Sequence, residues 1–428
     1  MKSYKELSRD ELLELQGALN KEYADAKSKG LSLNMARGKP SPEQLGFSMG
    51  IMDVLNSSSE LVSEDGTDCR NYGVLDGIPE AKRLMAGMVG TKSENMIVCG
   101  NASLPIMYDT VARSYAFGVC GGKPWCKQEH VKFLCPVPGY DRHFAITEQF
   151  GIEMINIPMH EDGPDMDLVE KYVESDSSVK GIWCVPKYSN PEGVCYSDEV
   201  VRRFAALKPA AEDFRIYWDN AYAMHHLYPD QPVEILDIIE ECEKAGHPDM
   251  VFEFCSTSKV TFSGSGVAAV ATSEKNREWF KKTMTIQTIG YDKINQLRHV
   301  KYFGDIEGMK AHMVKMADSL RPKFEAVHEV LEAELGGLEI GKWTDPKGGY
   351  FISFYTLPGC AKKVAAMCKD AGVTLTGAGA TYPYKKDPED SNIRIAPSFP
   401  TVDEMKLAAK LFALCVKLVS VEKLLEEK

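Results

Sequence analysis

Six short apolar runs alternate with helix-patterned segments between about residues 80 and 300: MIVCG (96–100), VKFLCPV (131–137), GIWCVPK (181–187), FRIYWDN (214–220), MVFEFCS (250–256) and VAAVATS (267–273). A strand with one wet face alternates apolar and polar residues. These runs are nearly continuous, so both faces must be covered. Strands of this kind separated by helices predict an α/β chain with a mainly parallel sheet between helical layers.

The flanking sequence reads differently. Residues 5 to 28 have the pattern of an amphipathic helix, followed by the loop NMARGKPSPEQLG. A long helical stretch covers about 303 to 335, then a strand at GGYFISFY, a helix near 360–371, a strand at GVTLTG, the segment SNIRIAPSF, and a closing helix from about 402. This mixture predicts a smaller α+β domain, residues 301–428, joined by an N-terminal segment, 1–45, beside a large domain, 46–300. At 428 residues the chain is too long for one compact unit.

Charge and cysteine usage exclude several classes. A net charge of -12 and a pI near 5.4 argue against a nucleic-acid or anionic-membrane surface, while leaving room for a local basic pocket. None of the twelve cysteines forms a CxxC pair, and no His/Cys cluster has zinc-ligand spacing. Most read as small buried apolar residues, with a Cys120–Cys126 loop disulfide as the lesser alternative. The first thirty residues are charged and lack the apolar core of a signal peptide, and no apolar run is long enough to cross a bilayer. A reducing, cytoplasmic setting is expected.

In open α/β sheets ligands bind at the carboxyl ends of the strands. The polar residues there are Asn101, Ala102, Ser103, Tyr140, Asn190, Asp219 and Lys259. Each has an ordinary reading. Lys259, in FEFCSTSKVTFSGSG, is by default a solvated loop lysine. Asp219, in YWDNAY, is as readily a helix cap or a structural ion pair as a ligand, since a strand-end carboxylate is costly unless paired. Asn190, in YSNPEG, is turn chemistry. GNASLP is a strand-to-helix turn whose free N–H groups suit a phosphate, as many helix starts do. Arg394, in NIRIAPS, is an outward arginine unless its planar fork captures a carboxylate. Tyr140 and Tyr72 are loop aromatics. The adjacent His225 and His226 point apart and lack a third ligand, so no metal site is expected.

The order of these pieces says more than any one of them. R-G-K-P (37–40), Y-G (72–73), G-N-A-S (100–103), P-G-Y (138–140), S-N-P-x-G (189–193), D-N-A-Y (219–222), S-x-S-K (256–259), G-G-Y-F (348–351) and I-R-I-A-P (393–397) follow one another in a succession. It resembles the fold type I pyridoxal-phosphate-dependent aminotransferases over nearly the whole chain, and within them the type Ic aspartate aminotransferases. The resemblance implies a seven-stranded large-domain sheet and pyridoxal 5'-phosphate as cofactor. It also implies a ping-pong transfer from an L-amino acid to a 2-oxo acid, with aspartate and 2-oxoglutarate the expected pair. A β-eliminating carbon–sulfur lyase on the same cofactor, or another amino donor, is the alternative.

By the same resemblance Lys259 tethers the cofactor's aldehyde and carries a proton between Cα and C4′. Asp219 pairs with the pyridine nitrogen, and Asn190 and Tyr222 bond the phenolic oxygen. Tyr140 covers the ring, while the backbone of Asn101, Ala102 and Ser103 with the Ser256 hydroxyl holds the phosphate. Arg394 clamps the substrate α-carboxylate and Gly38 lets backbone close over it. Tyr72 reaches the phosphate of a neighbouring subunit, which implies a homodimer with shared sites. One departure stands out: relatives carry a phosphate-neutralising arginine in G-x-R-x-G, where this chain has SGSGV with Gly266 at that place. Arg37, Lys293 and Arg298 are the candidates for a distal carboxylate. A regulator with an aminotransferase-like domain lacks support, because no basic DNA-binding domain precedes residue 30. A nicotinamide oxidoreductase is excluded by the missing GxGxxG.

Overall fold

The computed structural model describes residues 2–428. The apolar runs form one mixed sheet, with strands in the spatial order Met96–Val98, Ala268–Ala271, Val251–Ser256, Arg215–Asp219, Val179–Cys184, Lys132–Val137, Glu153–His160 and Gly163–Pro164. Ala268–Ala271 runs antiparallel to both its neighbours, and the two-residue Gly163–Pro164 strand pairs antiparallel at the edge. The other pairings are parallel. The sheet therefore has eight strands rather than the expected seven. The strand Glu153–His160 had no continuous apolar run to betray it, because only Met154 and Ile157 along it are buried. Near the edge, much of its surface stays wet.

Beyond the sheet the long helical stretch expected at 303–335 is the single helix Ile306–Leu335, preceded by a shorter helix, Lys293–Phe303. Gly304, at φ +74°, ends the shorter helix, and the Asp305 side chain caps the longer one by accepting from the Gly308 N–H. Met309, Met313 and Met316 on the longer helix pack on the large sheet's core, while Leu320, Phe324 and Val327 further along join a separate core. That second core takes Leu12 and Leu19 from the helix Arg9–Ser28, and Phe412 and Val416 from the closing helix Val402–Glu427. Reciprocal Ser8–Glu11 and Thr401–Glu404 capping boxes fix where these two helices begin.

Two small sheets complete the C-terminal half. Gly341–Trp343, Ile352–Thr356 and Asn392–Ile395 form an antiparallel sheet, and Val373–Thr374 pairs in parallel with Leu33–Asn34 from the N-terminal segment. All twelve cysteines are free and nine are buried, so Cys120 and Cys126 form no disulfide. Among the described residues no group of side chains has the makings of a metal site, and no helix is long and apolar enough to cross a membrane.

Candidate active site

The carboxyl ends of the parallel strands converge on a narrow cavity of about 80 Å³. Its wall holds Ser103, Tyr140, Asn190, Asp219, Tyr222 and Lys259, with Gly38 and Phe351 contributed by the N- and C-terminal segments. Residues nearly 160 positions apart in sequence thus meet because each follows a strand of the same sheet.

Asp219 is the last residue of Arg215–Asp219 and is buried. Its Oδ2 lies 2.9 Å from His143 Nε2, while Oδ1 is buried with no partner. His143 is itself held: its ring stacks on Trp183 with centroids 4.4 Å apart, and the Trp183 indole N–H donates to Thr147 Oγ1 at 2.8 Å. A buried carboxylate oxygen without a donor is expensive. The arrangement calls for a cationic N–H donor from the cavity side. His143 was not foreseen in the sequence. It sits three residues past Tyr140, on the buried face of the helix Asp141–Gln149, and a histidine on such a face has no local mark.

Lys259 also lines the wall, its Nζ 5.0 Å from the centroid of the buried Tyr222 ring. Burial lowers the pKa of its amine, and the Asp219 charge opposes the shift. The loop that carries it is tied down from behind. His225 Nε2 lies 3.3 Å from the Lys259 carbonyl, and His312 Nε2 is 2.8 Å from the Val260 carbonyl. Burial raises the hydroxyl pKa of Tyr140 to about 12, with Asp219 adding to the effect, and pushes Tyr222 well above its ordinary value.

Arg394, on Asn392–Ile395, is buried rather than outward. One terminal nitrogen donates to Asp141 Oδ1 at 2.9 Å and Asn190 Oδ1 at 3.1 Å, and its Nε is buried without a partner. The guanidinium lies 4.7 Å from the Phe351 ring centroid. Gly38 faces the same ring: a Cβ there would meet Phe351 Cζ at 2.3 Å, so glycine is required.

Ser103 opens the fifteen-residue helix Ser103–Phe117, whose Ala102 cap supplies no side-chain hydrogen bond, leaving the first N–H groups free for an anion. Ser256 is buried and donates to Ser258 Oγ at 3.0 Å. At Gly266 a Cβ would lie 2.8 Å from the Asn101 carbonyl oxygen, which is why no arginine fits there. Tyr72 is 81% exposed and stands outside the cavity. Of the three distal-carboxylate candidates, Lys293 is buried and donates to the Gly73 carbonyl at 2.9 Å, and Arg298 donates to Ser265 Oγ at 2.8 Å. Arg37 is exposed, next to Gly38.

A lysine amine and a buried carboxylate lining one cavity, with an arginine held against Asn190 and Phe351 of its wall, at the strand ends of an α/β sheet, define a transaminase of the fold type I class. The sequence-family model described as aspartate amino-transferase matches residues 7–428, and the chain belongs to that family. An aspartate aminotransferase of Corynebacterium glutamicum is 47% identical over 405 residues, covering 94% of this chain and 93% of the relative. The crystal structure of an aspartate transaminase from the same organism superimposes with a TM-score of 0.96 at 45% identity, covering 99% of both chains. An α-aminoadipate aminotransferase of Thermus thermophilus, complexed with N-(5'-phosphopyridoxyl)-L-leucine, shares the fold at TM-score 0.73 and 17% identity, covering 95% of this chain and 96% of that one. The family implies pyridoxal 5'-phosphate. The unpartnered Asp219 oxygen, the uncapped helix start at Ser103 and the amine of Lys259 are the donor and acceptor set that such a group needs.

Proposed function

We propose that this enzyme moves the amino group of L-aspartate to 2-oxoglutarate by a ping-pong mechanism, as a cytoplasmic homodimer with pyridoxal 5'-phosphate. When bound, that cofactor supplies an electron sink that makes the substrate Cα–H bond acidic. Asp219 would hold the cofactor's ring nitrogen in its protonated form, since the unpaired Oδ1 can accept an N–H, and His143 fixes the carboxylate's orientation. Asn190 and Tyr222 would bond the phenolic oxygen, and Tyr140 would cover the ring. The amides of Asn101, Ala102 and Ser103 with the Ser256 hydroxyl would hold the phosphate. With backbone occupying the place of an arginine at Gly266, the phosphate charge would be met by N–H groups and the helix start.

Lys259 would tether the cofactor's aldehyde, and its amine is placed to take and return the substrate Cα proton. Burial that disfavours its ammonium leaves more of the neutral amine able to accept that proton. Arg394 takes the α-carboxylate through its unpartnered Nε, backed by Asp141 and Asn190, with the backbone at Gly38 closing over it. Arg37 is the remaining cation for the distal carboxylate, since Lys293 and Arg298 are engaged elsewhere.

Exposed Tyr72, Phe117, Ile286 and Ile289 support a second copy covering this face, with Tyr72 reaching its neighbour's phosphate. The division at 1–45, 46–300 and 301–428 is supported by the separate core that joins Leu12 and Leu19 to Phe412. The observation that carries the reading is the Lys259 amine and the half-satisfied Asp219 carboxylate facing one cavity. Single-turnover mixing of the holoenzyme with individual amino acids tests it. Aspartate should release oxaloacetate in one equivalent, and transfer from other amino acids but none from aspartate would refute the substrate.

A further inference from the structure

A second cavity, about 520 Å³, lies behind the active-site loops and shares no lining residue with the first. Its wall includes Lys187, three residues before Asn190, and Asn220, next to Asp219. Lys187 is only 6% exposed. Among the described residues, no hydrogen bond or ion pair engages its ammonium. Burial lowers its pKa, while the exposed carboxylate of Glu234 opposes the shift from beyond ion-pair distance. The ammonium faces the open cavity, whose wall also holds Glu234, so it keeps some contact with water; an anion entering there would be the first group to pair with it directly.

A second donor lines the same space. The Tyr188 hydroxyl, which has no other acceptor, lies 2.7 Å from His226 Nδ1. Burial keeps the His226 imidazole neutral, with its pKa down to about 4. The hydroxyl therefore donates to Nδ1, and the ring proton sits on Nε2, which has no partner. Met88, Met224 and Met313 supply the apolar part of the wall. The remaining charges at the mouth, Lys310 and Glu307, pair with each other at 2.7 Å. The volume is in the range of small-molecule sites, which combine apolar walls with a few converging polar groups.

We propose that this cavity binds an apolar-tailed monocarboxylate, its carboxylate between the Lys187 ammonium and the His226 Nε2–H and its tail against the methionines. The acid needs no α-amino or keto group, which separates the site from the catalytic one. The test is calorimetric titration of the holoenzyme with 4-methylpentanoate, which cannot be transaminated, together with crystals soaked in the same acid. Lys187→Met removes the ammonium while keeping the stem. Ala311→Trp, on the exposed side of the mouth, blocks entry without touching Lys187. Both variants should bind at least about tenfold more weakly, and the soaked crystal should show the carboxylate at Lys187. Binding that persists in both variants, or no binding to the wild type at millimolar acid, overturns the proposal. So does binding abolished by Arg394→Ala but not by Lys187→Met, since the acid would then sit in the catalytic cavity.

Discussion

Replacing Asp219 by asparagine exchanges one buried oxygen for an amide nitrogen and removes a charge from the floor of the cavity. In the cofactor-free protein the carboxylate's Oδ1 has no partner. Leaving a buried polar group unpaired costs about 1–3 kcal/mol, and more for a charged one. The amide oxygen of asparagine can keep the 2.9 Å contact with His143 while its Nδ2 takes the unpartnered place, so an unpaired charge becomes an unpaired neutral group and the apo variant should be more stable than the apo wild type by about 1 kcal/mol. For a chain of 428 residues each kcal/mol corresponds to about 1 °C in melting temperature. With cofactor the balance reverses, because the variant loses a buried charge pair of about 2–5 kcal/mol. Thermal melts of apo and holo forms should show a raised apo melting temperature and a smaller cofactor increment. Turnover should fall by about 10²–10³. An apo variant that melts lower, with an unchanged cofactor increment, would mean that Asp219 is a structural fixture facing no ligand.

Gly38→Ala places a methyl 2.3 Å from the Phe351 ring, which also packs under Arg394; overpacking of about 1–3 kcal/mol should displace both, and kcat/KM for the amino donor should fall about tenfold or more. Arg394→Lys retains charge but loses the fork that reaches Asp141 and Asn190, so steady-state kinetics should show KM rising and kcat/KM falling by about 10². Arg37→Ala should lower kcat/KM for aspartate and leave that for alanine unchanged. Glu253, buried and hydrogen-bonded by Asn220 Nδ2 at 2.9 Å, has its carboxyl pushed up by burial to about 8. Its folded pKa exceeds its unfolded one, so its contribution to stability is full below about 4.5 and is lost as pH rises towards 8. Urea melts of Glu253→Gln should therefore lose less stability between pH 5 and 8 than the wild type does.

The sequence carried the central strands and the residues at their ends because one physical rule governs both. A strand covered on two faces is apolar throughout, so the polar residue that ends it stands out. Asp219, Asn190 and Lys259 were legible for that reason, and their order along the chain made the family recognisable. Glu153–His160 was illegible because its pattern reflects an outer position in the sheet, with only Met154 and Ile157 buried. His143 was missed because its role depends on Trp183 and Asp219 from two other strands, a contact with no local signature. The glycine at 266 was visible as a departure, but its reason, the Asn101 carbonyl pressed against it, is a tertiary fact. Arg394 looked like a surface residue until Phe351 and Asn190 came to lie around it.

The most direct test is chemical. Holoenzyme reduced with borohydride, digested and mapped by mass spectrometry should carry a phosphopyridoxyl adduct on the peptide containing Lys259 and on no other lysine. An unmodified Lys259, or an adduct elsewhere, would contradict the assignment of that amine as the group on which the chemistry turns.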